Sequence, residues 1–216
     1  DDMGRNIFAR VIWGSRLSLF IGLTSATFAL IIGGFLGTIA GYFGGKLENI
    51  IMRTMDVFQA IPATLLAISI AAALGPSTFN VIIAISISFC PSFARVARAP
   101  ILIVRQAEYI EAAKSIGAKA RTIILNEVIP NSLAPIIVQT TLSVAIMILI
   151  TSGLSFLGLG VQPPEPEWGS MLAASRSHIR DYSYIALFPG LAIMITILSL
   201  NLLGDGLRDA LDPRLK

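Results

Sequence analysis

With 216 residues, 55% hydrophobic, only 13% charged and a mean hydropathy of +0.78, the chain is far too apolar for a soluble domain, in which about a quarter of residues carry charge. The formal charge of +3 comes from basic residues at the ends of apolar runs; with no aromatic-studded basic patch, this points to lipid headgroups and membrane topology and away from nucleic acid. One cysteine, Cys90, and one histidine, His178, exclude an internal disulfide and a cysteine metal cluster, and leave almost no material for histidine-based metal or triad chemistry.

In chain order, the start DDMGRNIFAR is neither a signal peptide nor an initiator Met, and sequence upstream of residue 1 is expected. Residues 1–16 place Ile7, Phe8, Val11 and Ile12 on one helical face and Arg5, Arg10 and Arg16 on others. They read either as an amphipathic helix on the membrane surface or as a plain leader into the first span. That span is expected over residues 17–40 and is rich in glycine (Gly22, Gly33, Gly34, Gly37, then Gly41), which lets neighbouring helices approach closely. A second span is expected over residues 50–74, with Arg53 and Asp56 one turn apart near its start and able to pair, and with Pro62 kinking it. A third is expected over residues 79–96, bent at Pro91. Pro62 and Pro91 are candidate hinges or fixed kinks.

The longest polar interval follows, Glu108 to Pro130. Within it Tyr109, Ala112, Ala113, Ile116 and Ala120 recur at the spacing of one helix face, and Gly117 falls where a helix can end. A short amphipathic helix between two spans, with its packing face open to a soluble partner, is the natural reading. The fourth span is expected over residues 129–157 and carries Gln139, Thr140, Thr141 and Ser143, which could line an aqueous pathway or bond to neighbouring helices. After it comes a proline-stiffened loop, GLGVQPPEPEWG, and a short helix with Trp168 expected at headgroup level. A fifth span is expected over residues 184–203, ended by Gly204 and Gly206. The fold class is thus an all-α polytopic membrane bundle. If the 95–127 loop faces the cytoplasm, 11 of the 16 Lys and Arg residues lie inside, as the positive-inside rule asks.

No catalytic set emerges. There is no GxxxxGK[ST], so ATP is not bound in the Walker manner, and neither GxSxG nor HExxH occurs. Asp56 stands as the lone carboxylate within the spans.

Glu111-Ala112-Ala113, then Gly117, then Ile129-Pro130 resembles the EAA loop of permease subunits of bacterial ABC importers. Glu127 stands where that pattern has Ile, and Ile129 where it has Leu. The stretches DDMGRNIFARVIWGSRLSL, AGYFGG, MRTMDVFQAIP, GLSFLGLGVQPPEPEWG and LNLLGDGLRDALDPRLK are similar to the dipeptide, oligopeptide and nickel branch of that group, in particular its C-type permeases, which usually have one further span upstream. The resemblance covers essentially the whole chain. It implies an outer-side segment over residues 1–16, a transmembrane domain over 17–207 that includes a cytoplasmic coupling loop at 106–130, and a cytoplasmic tail over 208–216. It implies a multi-pass protein of a bacterial or archaeal cytoplasmic membrane that is not itself an enzyme. Glu111, Ala112, Ala113, Gly117 and Pro130 would belong to the contact with ATPase subunits. The implied partners are a second, homologous permease, two ABC ATPases that bind the ATP and Mg, an external solute-binding protein and the bilayer. The expected cargo is di- or oligopeptides, with nickel or another small solute as the alternative, and a non-transporting membrane scaffold as the reading from another class.

Overall fold

In the computed structural model, which describes residues 1 and 3–211, every regular element is helical among the described residues. The expectations for residues 212–216, including Arg214 and Lys216, and for Asp2 lie outside them.

Helix α1 (Ile7–Phe43) is 37 residues long, about 55 Å at 1.5 Å per residue. The segment read as a possible surface helix has no break at its end: residues 7–16 are the first turns of α1, as in the plain-leader reading. Phe8 and Ile12 are exposed, whereas Gly14 and Ser18 face inward. Asn6 caps the helix, accepting from Ala9 N at 3.0 Å.

The expected second span is not one helix. It is α2 (Gly45–Gln59) followed by α3 (Ala63–Leu74), bent by 81°. Pro62 occupies the N-cap position of α3, so it starts a helix and does not kink one, in keeping with its missing N–H donor. Asp56 does not pair with Arg53 as expected. Its Oδ1 lies 2.8 Å from Nη2 of Arg95 on α4, because α2 lies against α4 and the longer reach across the two helices is satisfied first.

Helix α4 (Thr78–Val104) extends past the expected end of the third span and runs through both Pro91 and Pro100. Its contact with α1 is the most extensive in the fold. Gly33, Gly37 and Gly41 form the α1 side of this contact, and the backbone of α4 lies against them: a Cβ on Gly33 would collide with the Cys90 carbonyl and one on Gly37 with the Ala94 carbonyl, while one on Gly41 would sit 3.1 Å from Arg98 O. Close backbone approach through small residues is how helices associate where water offers no hydrophobic drive.

After α5 (Glu108–Ser115) and the single turn α6 (Ala120–Ile123), a π-helical segment, Ile124–Val128, leads without interruption into α7 (Ile129–Phe156). The fourth span therefore reaches back to Ala120. Helix α8 (Trp168–Ser175) buries Trp168, only 3% exposed, with its Nε1 donating to Val11 O at 2.9 Å. The indole is thus a core anchor between α8 and α1, not a headgroup anchor. Helix α9 (Tyr184–Leu211) continues through Gly204 and Gly206, which were expected to end it. Gly204 is buried against Leu142, where a Cβ would come within 2.7 Å of Cδ2, so this glycine serves packing on α7.

Among the described residues four helices are long and apolar enough to cross a membrane, and a fifth crossing results if α2 and α3 form one broken span. The main core gathers Ile21, Val81, Ile85, Phe93, Met147 and Ile148 between α1, α4 and α7.

Candidate functional site

The polar interval after α4 folds as a docked helix. In α5, Glu108 and Glu111 sit in the first turn and Lys114 in the last, each placed favourably for the helix dipole. The helix ends in a Schellman motif: Ala118 N donates to Ala113 O at 3.1 Å and Gly117 N to Lys114 O at 3.0 Å, with Gly117 at φ +80°. Only a residue without Cβ holds that backbone cheaply.

Ile110, fully buried, anchors α5 by packing with Ile101 of α4, Ile123 of α6 and Val128 of the π segment. Tyr42, Val104, Ala107, Ala113 and Ala118 surround this cluster. The apolar face read from the sequence is therefore divided. Ala113 turns toward the chain, while Tyr109 (46% exposed), Ala112, Ile116 (86% exposed) and Ala120 face outward. Ile110 falls off that stripe, and helical periodicity counted for a single face passes over it. The signal was its place on the flank of the same short helix next to Ala113, about 100° around from Tyr109.

Glu111 and Ala112 are exposed on the outer side of α5, and Gly117 is exposed just beyond it. No hydrogen bond or ion pair holds the Glu111 carboxylate among the described residues; only its backbone carbonyl is engaged, by Ser115 Oγ at 2.9 Å. Pro130 lies apart from these residues, exposed in the first turn of α7 beyond the π segment. There Asn131 Nδ2 donates to Glu127 O at 2.7 Å, a side-chain bond across the junction of the π segment and α7.

Arginines of α4 and its C-terminal cap, just before the loop, tie α4 to α1 and α2. Arg105 Nη1 donates to Gly41 O at 3.0 Å and Tyr42 O at 3.1 Å, closing the C-terminus of α1 with a cation. Arg98 grips Glu48 of α2 through Nε at 2.7 Å and through Nη2, and Arg95 pairs with Asp56. The Lys114 ammonium stands 5.9 Å from the Tyr42 ring centroid.

Of the polar residues on α7, Gln139 donates to Ser143 Oγ at 3.4 Å. Thr140 and Thr141 return their hydroxyls to their own helix, to Ile136 O at 2.7 Å and Ile137 O at 3.1 Å. The two threonines help line an apolar cavity of about 320 Å³ with Val144, Leu200 and Leu203. Pro91 is buried within α4, and Pro62 lies at the α2–α3 break.

Sequence reading missed Glu167. This carboxylate is fully buried. It accepts from Gly169 N and Ser170 N, both at 2.9 Å, and from Ser18 Oγ at 3.1 Å, so it caps α8 while holding α1. Its place directly before a helical Trp-Gly-Ser was the available signal, since N-caps accept from the second and third residues that follow.

The architecture and the exposed α5 face can be compared with known proteins. The family described as "binding-protein-dependent transport system inner membrane component" matches residues 29–216. The chain belongs to that family. It is 50% identical over 216 residues to the dipeptide transport system permease protein DppC of Alkalihalophilus pseudofirmus, covering all of this chain and 71% of that protein. It is 46% identical to the glutathione transport system permease protein GsiD of Pectobacterium atrosepticum, covering all of this chain and 72% of the relative. Among solved structures, an inward-facing form of the MetNI methionine ABC transporter shares the fold, with TM-score 0.79 at 16% identity over 95% of this chain and 97% of that one. This family member is a multi-pass inner-membrane permease.

Proposed function

We propose that the chain is one permease subunit of an ATP-driven importer of short peptides, and that α5 is the helix through which ATPase subunits act on it. The observation that carries the coupling role is the divided face of α5. Ile110 fixes the helix to the inner ends of α1, α4 and α7, while Tyr109, Glu111, Ala112 and Ile116 stay free to meet another protein. A helix rigidly joined to its own bundle transmits displacement; a loop with slack would absorb it. The cargo rests on the named relatives, which transport dipeptides and glutathione, itself a tripeptide.

In this reading a second permease completes the pathway, two ATPases bind ATP and Mg, and an external binding protein delivers the peptide. ATP-driven closure of the ATPases pulls α5, and the attached helices exchange inward-facing and outward-facing states. Such work requires contacts that differ between the two states. Ala112 lets a partner groove reach the backbone, Glu111 offers an unpaired carboxylate to a basic residue, and Gly117 fixes the sharp exit from the helix. Pro130 closes the loop where α7 begins.

Affinity purification of the chain in mild detergent is expected to bring down the ATPases. In proteoliposomes, Glu111→Arg or Gly117→Val is expected to leave assembly intact and ATP hydrolysis running, while peptide uptake falls about tenfold or more. Normal uptake by assembled Glu111→Arg and Gly117→Val transporters would refute the coupling role of α5.

A further inference from the structure

Gly34 stands among the glycines of α1, yet it touches no other helix: a Cβ built there meets only Leu30 Cδ1 of its own helix, at 3.5 Å. It opens instead into a groove of about 620 Å³ between α1, the inner part of α4 and the start of α7. Phe35, Ile39, Leu125, Leu133 and Ile136 make its walls apolar. Three polar side chains break that character: Thr38, whose hydroxyl donates to Gly34 O at 2.7 Å, Ser132 and Arg121. Ser132, fully buried, lines the groove, and its Oγ has no hydrogen-bond partner. Arg121 lines the end nearest the α5 loop; it is exposed, and no ion pair or hydrogen bond engages it among the described residues. Among the described residues no acidic side chain lines the groove.

We propose that this groove binds an anionic phospholipid, with one acyl chain lying over Gly34 and the phosphate at Arg121. The chemistry is asymmetric in the way the groove is asymmetric. Between Arg121 and Ile136 the α7 side runs about 22 Å, and among the described residues its only cation is at the polar end. A guanidinium forms paired hydrogen bonds with a phosphate, and the apolar walls below it suit an acyl chain. Leu30, Leu133 and Ile136 also line the apolar cavity beside α9, so a second apolar space adjoins the end of the groove. A protein helix packed here would bury the Arg121 charge unless it brought its own carboxylate.

The test uses the assembled transporter in detergent, titrated with phosphatidylglycerol or with phosphatidylcholine of the same acyl chains and read by native mass spectrometry. Phosphatidylcholine carries the same phosphate but sets a choline cation beside the Arg121 guanidinium, so phosphatidylglycerol, which keeps its net negative charge, is expected to bind this permease about tenfold more tightly. Arg121→Gln is expected to remove that preference. Gly34→Phe, whose Cβ meets only Leu30 Cδ1 at 3.5 Å and whose ring would enter the groove, is expected to remove binding of both lipids from a complex that assembles at wild-type yield. Inorganic phosphate at millimolar concentration is expected not to compete, since the headgroup alone lacks the chain. Equal binding of both lipids by wild type, or undiminished phosphatidylglycerol binding by Gly34→Phe, would overturn the proposal. So would a cross-link from Phe35→Cys to the second permease in a complex that carries no bound lipid.

Discussion

Glu167 carries an ionisable side chain into a place where no water reaches it. Burial of a carboxylate is tolerated only when its oxygens are met by donors, and here three donors meet them: the backbone N–H groups of Gly169 and Ser170, and Ser18 Oγ. Trp168 N in turn donates to Ser18 Oγ at 3.2 Å. Removing the carboxylate would strip a helix cap and leave buried donors unpaired, so Glu167→Ala is expected to cost about 2 kcal/mol or more. Glu167→Gln keeps one acceptor oxygen and is expected to cost about half as much. Thermal denaturation of the purified complex, followed by scanning fluorimetry, checks the order Ala below Gln below wild type. A wild-type transition in Glu167→Ala would mean that these bonds do not hold α8 to α1. Composition could not reveal this residue, because a Glu in a proline-rich loop has the same letter whether it is solvated or sealed. Glu111 is the converse case: its pattern with Ala112, Ala113 and Gly117 was legible because a short helix ended by a left-handed glycine leaves a local signature.

At the scale of elements, the apolar runs of α1, α4, α7 and α9 were readable because a helix crossing about 30 Å of hydrocarbon needs a length of apolar sequence that little else explains. What was not readable was how they begin, end and join. Gly204 and Gly206 look like a stop, but Gly204 is spent on contact with Leu142. Residues 50–74 look like one span, but the stretch around Pro62 bends it by 81°. Pairing was opaque for the same reason, since Arg53 is the neighbour of Asp56 in sequence while Arg95 is its neighbour in space. The two ion pairs between α2 and α4 can be tested directly. Arg95–Asp56 is half exposed and contributes little. Arg98–Glu48 is more enclosed and engages two guanidinium nitrogens, so Arg98→Glu is expected to destabilise the complex by about 1 kcal/mol or more by setting two carboxylates against each other. The exchanged pair Arg98→Glu with Glu48→Arg is expected to recover most of that loss, and melting temperatures of the four combinations form the double-mutant cycle that decides it.

At the scale of the whole molecule, the question is which helices move with α5. Three arginines give the answer its physical form. Arg95 and Arg98 bind α2, and Arg105 binds the last carbonyls of α1. The glycine contact of α1 with α4 locks the same pair along its length, and Ile110 closes the assembly around α5. Among the described residues helix α9 has no ion pair or side-chain hydrogen bond to this group; it packs on α7, where Gly204 meets Leu142, on α8 and on α1, and leaves most of its apolar surface outside the chain. The contacts therefore join α1, α2, α4 and α5 into one body, with α9 held to the bundle by apolar packing. A displacement applied at α5 is expected to carry that body as a unit, because packed interfaces shift as blocks and do not deform continuously. Spin labels at the exposed positions Lys46→Cys of α2 and Ser115→Cys of α5, in a chain whose buried Cys90 is replaced by Ala, measure this. Between the nucleotide-free and ATP-trapped transporter, their separation is expected to change by less than about 2 Å, the scale of a local helix adjustment. A label pair joining Ser115→Cys to Asp205→Cys of α9 is expected to change by more. Should the α2–α5 separation shift as much as the α5–α9 separation, the ion pairs would be surface decoration and motion would spread through the bundle without a rigid carrier.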